Sequence, residues 1–514
     1  MNLFDVESGR EKRQSEIDAA KSIDYRRRLG QFSTPNEFAK AIAVQTERYL
    51  RIPENIKVLE PSMGTGSFVS ALFAVMKKRI GSVTGYELDQ DFYQASVDLW
   101  NGWPVKPICG DFTKVEPLNC YDLVIANPPY SRHHTFGIEE KRRLQSLTKQ
   151  CTGISVSGLA GLYCYFMLLS IKWMKPGAVG VWLIPSEWMS VNYGSAIREF
   201  LTGKVTLLRV HKFEASDVRF SDALVSSCVV WFRNEPPSGA RAEFTYGNNL
   251  SKPERIERYA PTDLSGLNKW PPSGKMKTGE WKIGDFFSIR RGVVTGDNDF
   301  FVMEEDLARD LKIPSRYLKP ILPSPRNVKV DHVVADDDGL PTNVSRRFLL
   351  DCSGSNLASL PETVRDYLSS GEGTIAKKNL CASRNVWYEQ EQRRPTPFLC
   401  SYMGRGASDK SPVRFILNDT KAIESKSFLM LYPRRQLMGI LSKNRECAQE
   451  IWNLLVAIPP QEILAAGRSY GGGLQKIEPR ELSNVPCDSI YAWMSARGET
   501  VHHEDENGQL QLFA

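Results

Sequence analysis

Asn127-Pro-Pro-Tyr130 brings three kinds of chemistry to one point of the chain. Asn127 offers a side-chain carbonyl, the tandem prolines fix φ and remove two backbone donors, and Tyr130 offers a flat ring. The result is a rigid, acceptor-rich loop. The Asn127 carboxamide oxygen and the backbone carbonyl of Pro128 or Pro129, converging on a planar amine, hold both its hydrogens and aim its lone pair at an electrophile. A plain Pro-rich turn with a tyrosine lid is the alternative, and the residues upstream weigh against it. Glu60-Pro-Ser-Met-Gly-Thr-Gly66 places Gly64 and Gly66 where a strand meets a helix, so that backbone and free N–H groups come close to a ligand. Glu87 ends the next strand, about 20 residues on, where an acid accepts from ribose hydroxyls. Gly110-Asp-Phe112 follows a third strand. There Asp111 suits an exocyclic amine and Phe112 the face of a purine. The chain has no GxGxxG and no GxxxxGK[ST] after a strand, which weakens dinucleotide and nucleoside-triphosphate readings.

Elements that alternate between strand and helix must position these residues. Lys57–Glu60, Ser82–Leu88, Val105–Cys109 and Tyr121–Ala126 read as strands, with helical patterns over Phe68–Ile80 and Asp91–Trp100. A helix over Leu162–Met174, strands over Gly177–Ile184, Val205–Lys212 and Ser226–Phe232, and a helix over Tyr193–Leu201 continue the series. This alternation predicts a mostly parallel, doubly wound α/β sheet with helices on both faces. It stops at Asn234-Glu-Pro-Pro-Ser-Gly239, a linker signal. Two domains are therefore expected, 1–240 and 241–514. The second is irregular, mixed α/β and rich in Arg, Trp and Tyr.

Composition fits an ordinary globular protein: 514 residues, 41% hydrophobic, 25% charged and a net charge of +6. That weak positive balance does not by itself imply nucleic acid. No apolar stretch approaches the roughly 20 residues of a membrane span, and the N-terminus lacks an apolar signal region, so neither membrane nor export is expected. The ten cysteines include no CxxC pair, so no metal site is expected, and the thiols read as reduced and mostly buried. His133-His134 reads as a polar loop.

The ordered set Gly30-Gln-Phe-Ser-Thr-Pro35, Glu60–Gly66, Tyr86-Glu87, Gly110–Phe112 and Asn127–Tyr130 resembles the gamma-class N6-adenine DNA methyltransferases of type II restriction–modification systems. Motif coverage runs over residues 25–233. The resemblance implies a class I S-adenosylmethionine-dependent catalytic domain over 1–240 and a DNA target-recognition domain over 241–514. It implies a site-specific enzyme that methylates N6 of an adenine flipped out of double-stranded DNA, protecting host DNA from a cognate restriction endonuclease. That nuclease shares the target site without having to bind. A monomer in the cytoplasm of a bacterium or archaeon, working without metal, is implied too.

By resemblance, Thr34 contacts the methionine end of the cofactor, Glu60 and Gly64 lie beside its amino-acid moiety, and Glu87 binds the ribose. Gly66 belongs to the same cofactor turn. Asp111 and Phe112 hold the cofactor's adenine, and Phe166 lines the same pocket. Asn127, Pro128, Pro129 and Tyr130 form the catalytic loop. Tyr130 and Phe220 stack on the target base from opposite sides, with Phe213 a competitor for the second role. Flipping is required because a paired adenine cannot present N6, and stacking returns ~1–3 kcal/mol per base. Alignment with the methyl donor supplies roughly 7–11 kcal/mol in favourable cases.

Four C-terminal stretches join Arg or Lys to Gly or aromatic residues, as phosphate-contacting loops do: Ile289–Asn298, Ser383–Tyr388, Tyr402–Arg405 and Arg468–Lys476. Rival readings are an enzyme of the same chemistry acting on RNA or on a protein glutamine, and a non-catalytic DNA-binding module. A bifunctional restriction–modification enzyme is a further option, disfavoured because about 25 residues before the Thr-Pro region are too few for a nuclease domain.

Overall fold

A computed structural model describes residues 2–22, 25–26, 30–131, 137–213, 227–267, 269–271, 280–405, 411–444, 446–469 and 474–499. It divides into two compact units, Met1–Ser273 and Gly274–Ser469 with Leu474–Ala514.

The first unit begins with helices α1 (Leu3–Ala20) and α2 (Asn36–Glu47). Then follow β1 (Ile56–Glu60), α3 (Ser67–Met76), β2 (Ile80–Glu87), α4 (Gln90–Leu99), β3 (Val105–Cys109) and β4 (Tyr121–Ala126). The chain continues through α5 (Ile138–Thr152), α6 (Leu162–Leu169), β5 (Met174–Pro185), α7 (Ser195–Gly203), β6 (Thr206–Lys212) and β7 (Ser227–Arg233), and adds β8 (Ala242–Tyr246) and β9 (Arg255–Tyr259). All these strands join one sheet in the order β3-β2-β1-β4-β5-β7-β6-β8-β9. β3 to β5 run parallel, whereas β7 is antiparallel to both β5 and β6.

Residues alternate across this sheet between two cores. In β4, Leu123 and Ile125 pack with Phe68 and Leu72 of α3, while Val124 and Ala126 pack with Phe166 of α6 and Phe200 of α7. Every residue of β4 and of β7 is buried, the continuous pattern expected of strands covered on both faces. The expected doubly wound sheet is therefore present.

Three expectations need correction. The stretch around Pro236-Pro237 is not an interdomain linker but the connection between β7 and β8, and Thr206 donates to the Pro236 carbonyl at 2.6 Å. β8 pairs with β6 and β9 with β8, so the unit ends at Ser273 rather than near 240. The helix expected over Leu162–Met174 ends at Leu169, because a tight turn at Ser170–Lys172 leads directly into β5. Beyond these, α1, α2 and α5 were not anticipated.

The second unit is mixed α/β. Its strands form a five-stranded, a four-stranded and a three-stranded sheet, and Ile451, Leu455 and Ile490 of its helices pack with Phe398 and Leu431 in one core. Among the described residues, no helix is long and apolar enough to cross a membrane.

Candidate active site

The strand order reverses between β1 and β4, and the two main motifs leave the sheet at the carboxyl ends of these strands. In an open α/β sheet this is the crevice where ligands bind. A cavity of about 560 Å³ opens there. Gly64, Glu87, Asp111, Phe112, Asn127, Pro129 and Phe166 all line it. Thr34, Glu60, Gly66, Pro128 and Tyr130 do not.

Gly64 and Gly66 differ in purpose. Both have left-handed φ, +53° and +89°. A Cβ on Gly64 would meet nothing within 4 Å, so its backbone is open to a ligand. A Cβ on Gly66 would lie 2.5 Å from Trp100 Nε1, so this glycine makes room for a buried indole. Trp100 Nε1 donates to the Thr65 carbonyl at 3.0 Å and holds the turn in place.

Glu87 accepts from the backbone N–H of Gly64 at 2.8 Å and of Asp89 at 2.8 Å. Burial pushes its carboxyl above the ordinary range, and these bonds oppose the shift. Glu60 ends β1, wholly buried, and its Oε2 has no partner. Burial, then the neighbouring Glu87 carboxylate, raise its pKa well above the ordinary value, against the pull of Arg10.

At the other end of the cavity, Asp111 Oδ1 accepts from the backbone and hydroxyl of Thr113 at 2.9 and 2.8 Å. This caps the turn that carries Phe112. The Phe112 ring stacks on Trp173 with centroids 5.2 Å apart and tilts against Phe166 at 5.4 Å. Arg143 of α5 donates to Thr113 and pairs with Glu140 at 2.6 Å, so α5 braces this aromatic shelf.

The Asn127–Tyr130 loop is cross-linked to the Thr-Pro segment. Asn127 Nδ2 donates to the Phe32 carbonyl at 2.9 Å and to Thr34 Oγ1 at 3.0 Å. The Phe32 carbonyl can only accept, which fixes the amide nitrogen on that side and turns Oδ1 the other way. No donor among the described residues reaches Oδ1. Ser62 of the glycine turn donates to the Asn127 carbonyl at 3.0 Å, joining the two motifs. Thr34 is buried beside Asn127 and accepts from its amide. Tyr130 donates its hydroxyl to the Leu183 carbonyl at 3.2 Å, and its ring tilts against Phe32 at 5.8 Å. Gly30 is needed where these segments touch: its φ is +69°, and a Cβ would lie 2.3 Å from the Tyr130 nitrogen.

Phe220 and His133-His134 lie outside the described residues. Phe213 is buried and packs edge-on against Phe38 and His211, as a core aromatic does. The sequence reading missed several cavity residues: Gln14 and Asp18 of α1, Phe32, Leu88, Asp89 and Glu140. Leu88 follows Glu87 directly in the sequence, and the structure leaves it 71% exposed at the cavity.

In the second unit, cations of the expected phosphate-contacting stretches are engaged internally. Arg291 and Lys476 pair with Glu478 at 2.8 and 3.0 Å and flank the Tyr402 ring. Arg384 donates to the Val294 and Thr295 carbonyls, and Arg468 pairs with Glu481. Arg290 is exposed.

Sheet order, antiparallel β7 and the cavity at the β1/β4 crevice define a class I methyltransferase fold. The chain matches the Eco57I restriction–modification methylase model over residues 105–219 and the model of the C-terminal domain of type II methyltransferase M.Eco57I over 275–508. Type II methyltransferase M.AccI of Acinetobacter calcoaceticus is 25% identical, over 91% of this chain and 87% of its own. M.XamI of Xanthomonas campestris pv. amaranthicola is 27% identical, over 84% and 81%. In fold, the chain is similar to the solved structure of the type IIL restriction–modification enzyme MmeI in complex with DNA: TM-score 0.56, 12% identity, 84% of this chain and 66% of that one. The chain belongs to the Eco57I family of type II restriction–modification methyltransferases, a class of DNA methyltransferases.

Proposed function

We propose that the chain transfers a methyl group from S-adenosylmethionine to N6 of an adenine swung out of double-stranded DNA. One observation carries the reading. Asn127 has its amide nitrogen fixed by Phe32 and Thr34, leaving its carboxamide oxygen for a donor from outside, at the mouth of a cofactor-sized cavity. The residues present fit the cofactor. Gly64 leaves open space, Glu87 offers carboxylate oxygens, and Phe112, Phe166 and Leu88 offer apolar faces to a purine. When bound, the group supplies an electrophilic sulfonium methyl.

The chain's own residues bind and align. Glu87 accepts from ribose hydroxyls, and Asp111 from the cofactor's amine. Asn127 Oδ1 and the Pro129 carbonyl accept the two hydrogens of the target amine and orient its lone pair. Tyr130, with Phe220, flanks the flipped base. The second unit supplies target recognition, and the gamma motif order favours adenine over cytosine, whose exocyclic amine offers the same two hydrogens. A partner endonuclease cutting the same site completes the system.

The test is plasmid DNA incubated with the purified protein and S-adenosylmethionine, then sequenced for modified bases. N6-methyladenine confined to one short site is expected. N4-methylcytosine overturns the base assignment, and modification of RNA or of a glutamine overturns the substrate. An Asn127→Ala control should abolish the signal.

A further inference from the structure

We propose that α1, which carries none of the methyltransferase motifs, is the wall of the cavity that recognises the amino-acid end of the cofactor. Asp18 and Gln14 are its contacting residues and Arg10 its positioning residue. The inference rests on the methyltransferase reading above.

α1 buries only Val6 and Arg10, so little apolar area holds it in place. Polar bonds hold it, and they converge on the cofactor loops. Arg10 is 2% exposed and donates through Nη1 to Thr65 Oγ1 at 3.2 Å and Ser67 Oγ at 2.9 Å, on either side of Gly66. Its remaining donors reach Glu7 at 2.8 and 2.6 Å. The planar guanidinium gives Nη1 to the two hydroxyls while Nε and Nη2 hold Glu7, a fixed division of donors that a single ammonium nitrogen does not reproduce. Thr65 Oγ1 in turn donates to Gln14 at 2.8 Å. Just past the other end of the helix, Lys21 pairs with Asp89 at 2.5 Å and with Asp91 at 3.2 Å. The Asp89 backbone N–H is one of the two that bind Glu87. The helix thus braces both the glycine turn and the ribose loop.

Between these anchors Gln14 and Asp18 lie one turn apart on one helix face and line the cavity. Asp18 accepts from Gln14 Nε2 at 3.0 Å and pairs with Arg26 at 3.5 Å. A carboxylate beside a guanidinium complements the ammonium and carboxylate of an α-amino acid. The nucleoside end of the cofactor carries neither charge.

Two probes separate the ends. S-Adenosylhomocysteine carries the amino-acid group, and 5′-methylthioadenosine keeps the nucleoside and sulfur without it. Calorimetric titration of the full chain should show Asp18→Asn and Gln14→Ala weakening the first by about ten-fold and the second by less than about two-fold. Arg10→Lys should weaken both, because the turn itself loses its brace. Unchanged affinity for S-adenosylhomocysteine in Asp18→Asn, or an equal loss for both probes, overturns the assignment of the wall. Unchanged affinity for both probes in Arg10→Lys overturns its positioning role. If the unsubstituted chain binds neither probe, the methyltransferase reading itself fails.

Discussion

Thr34 separates two uses of one hydroxyl. Family resemblance assigns it to the cofactor, while the geometry sets it beside Asn127 as an acceptor for that residue's amide. Thr34→Val keeps the shape and removes the acceptor. A hydrogen bond of this kind is worth about 1 kcal/mol, so turnover should fall by roughly five- to ten-fold. S-Adenosylhomocysteine affinity, measured beside the rate, should not change. A weakened affinity with unchanged turnover would restore the cofactor contact. Glu424 poses a different question at the same scale. It is 0% exposed, Asn418 donates to its Oε1 at 3.3 Å, and Oε2 has no partner. Burial raises its pKa well above the ordinary 4.5. Below pH 4.5 the folded and unfolded chains are both protonated there, and the residue adds no pH dependence. Above it the unfolded chain releases a proton that the folded chain retains, so stability falls with rising pH until the raised pKa is passed. Glu424→Gln, neutral and similar in shape, should flatten that fall and be the more stable form at pH 7. Urea midpoints at pH 5 and pH 7 decide it: an equal pH response in both proteins would mean that Glu424 is ionised in the fold.

The glycine turn shows what an element-scale argument adds. Sequence marks Gly64 and Gly66 alike, as two glycines ahead of a helix. Only the fold reveals that Trp100, 34 positions on, fills the space beside the second. Gly64→Ala strains a left-handed φ at a cost of roughly 1–2 kcal/mol and meets no neighbour. It should leave a folded protein with impaired cofactor binding. Gly66→Ala adds a clash with a fully buried indole and should lower the thermal midpoint by several degrees more. Scanning calorimetry of both variants checks the order, and equal midpoints would remove the distinction. The same contrast explains what was legible. β1, β4 and β7 each hold a short apolar stretch with two β-branched residues, and such stretches alternate with helical patterns, so the sheet could be read from that alternation. α1 has two buried residues and no apolar stripe, so nothing in its spacing announced a helix. α5 is dominated by charged and polar residues, and only Leu144, Thr148 and Thr152 are buried. The residues that line the cavity from these helices were missed for that reason.

At the scale of the whole chain, the division into units turns on residues 241–273. Pro236-Pro237 and Gly239 signal a break in periodicity, which sequence reading takes as a domain boundary. β8 and β9 nevertheless extend the first sheet, and Phe244 is buried in the core that holds Phe200 and Trp270. They also satisfy buried charge. Arg209 of β6 is 4% exposed, and it donates to Thr245 Oγ1 at 2.9 Å and to the Leu250 carbonyl at 2.8 Å. His211 is 0% exposed and bonds Thr245 and the Gly247 carbonyl. A fragment of residues 1–240 deletes all of these partners. Hydrogen bonds to a charged group are worth about 1.5–3 kcal/mol each, against a total stability of roughly 5–15 kcal/mol for a typical protein. The lost apolar contacts of Phe244 add to that. The 1–240 fragment should therefore be insoluble or molten, while 1–273 folds cooperatively and binds S-adenosylhomocysteine. If the second unit supplies target recognition, the longer fragment should bind matched and scrambled duplexes alike, weakly and in a salt-sensitive way. Circular dichroism melts and calorimetry on the two fragments, with a gel-shift assay on the longer, make the comparison. Cooperative unfolding of 1–240 would show that β8 and β9 are dispensable to the sheet. Sequence discrimination by 1–273 would place target reading within the first unit.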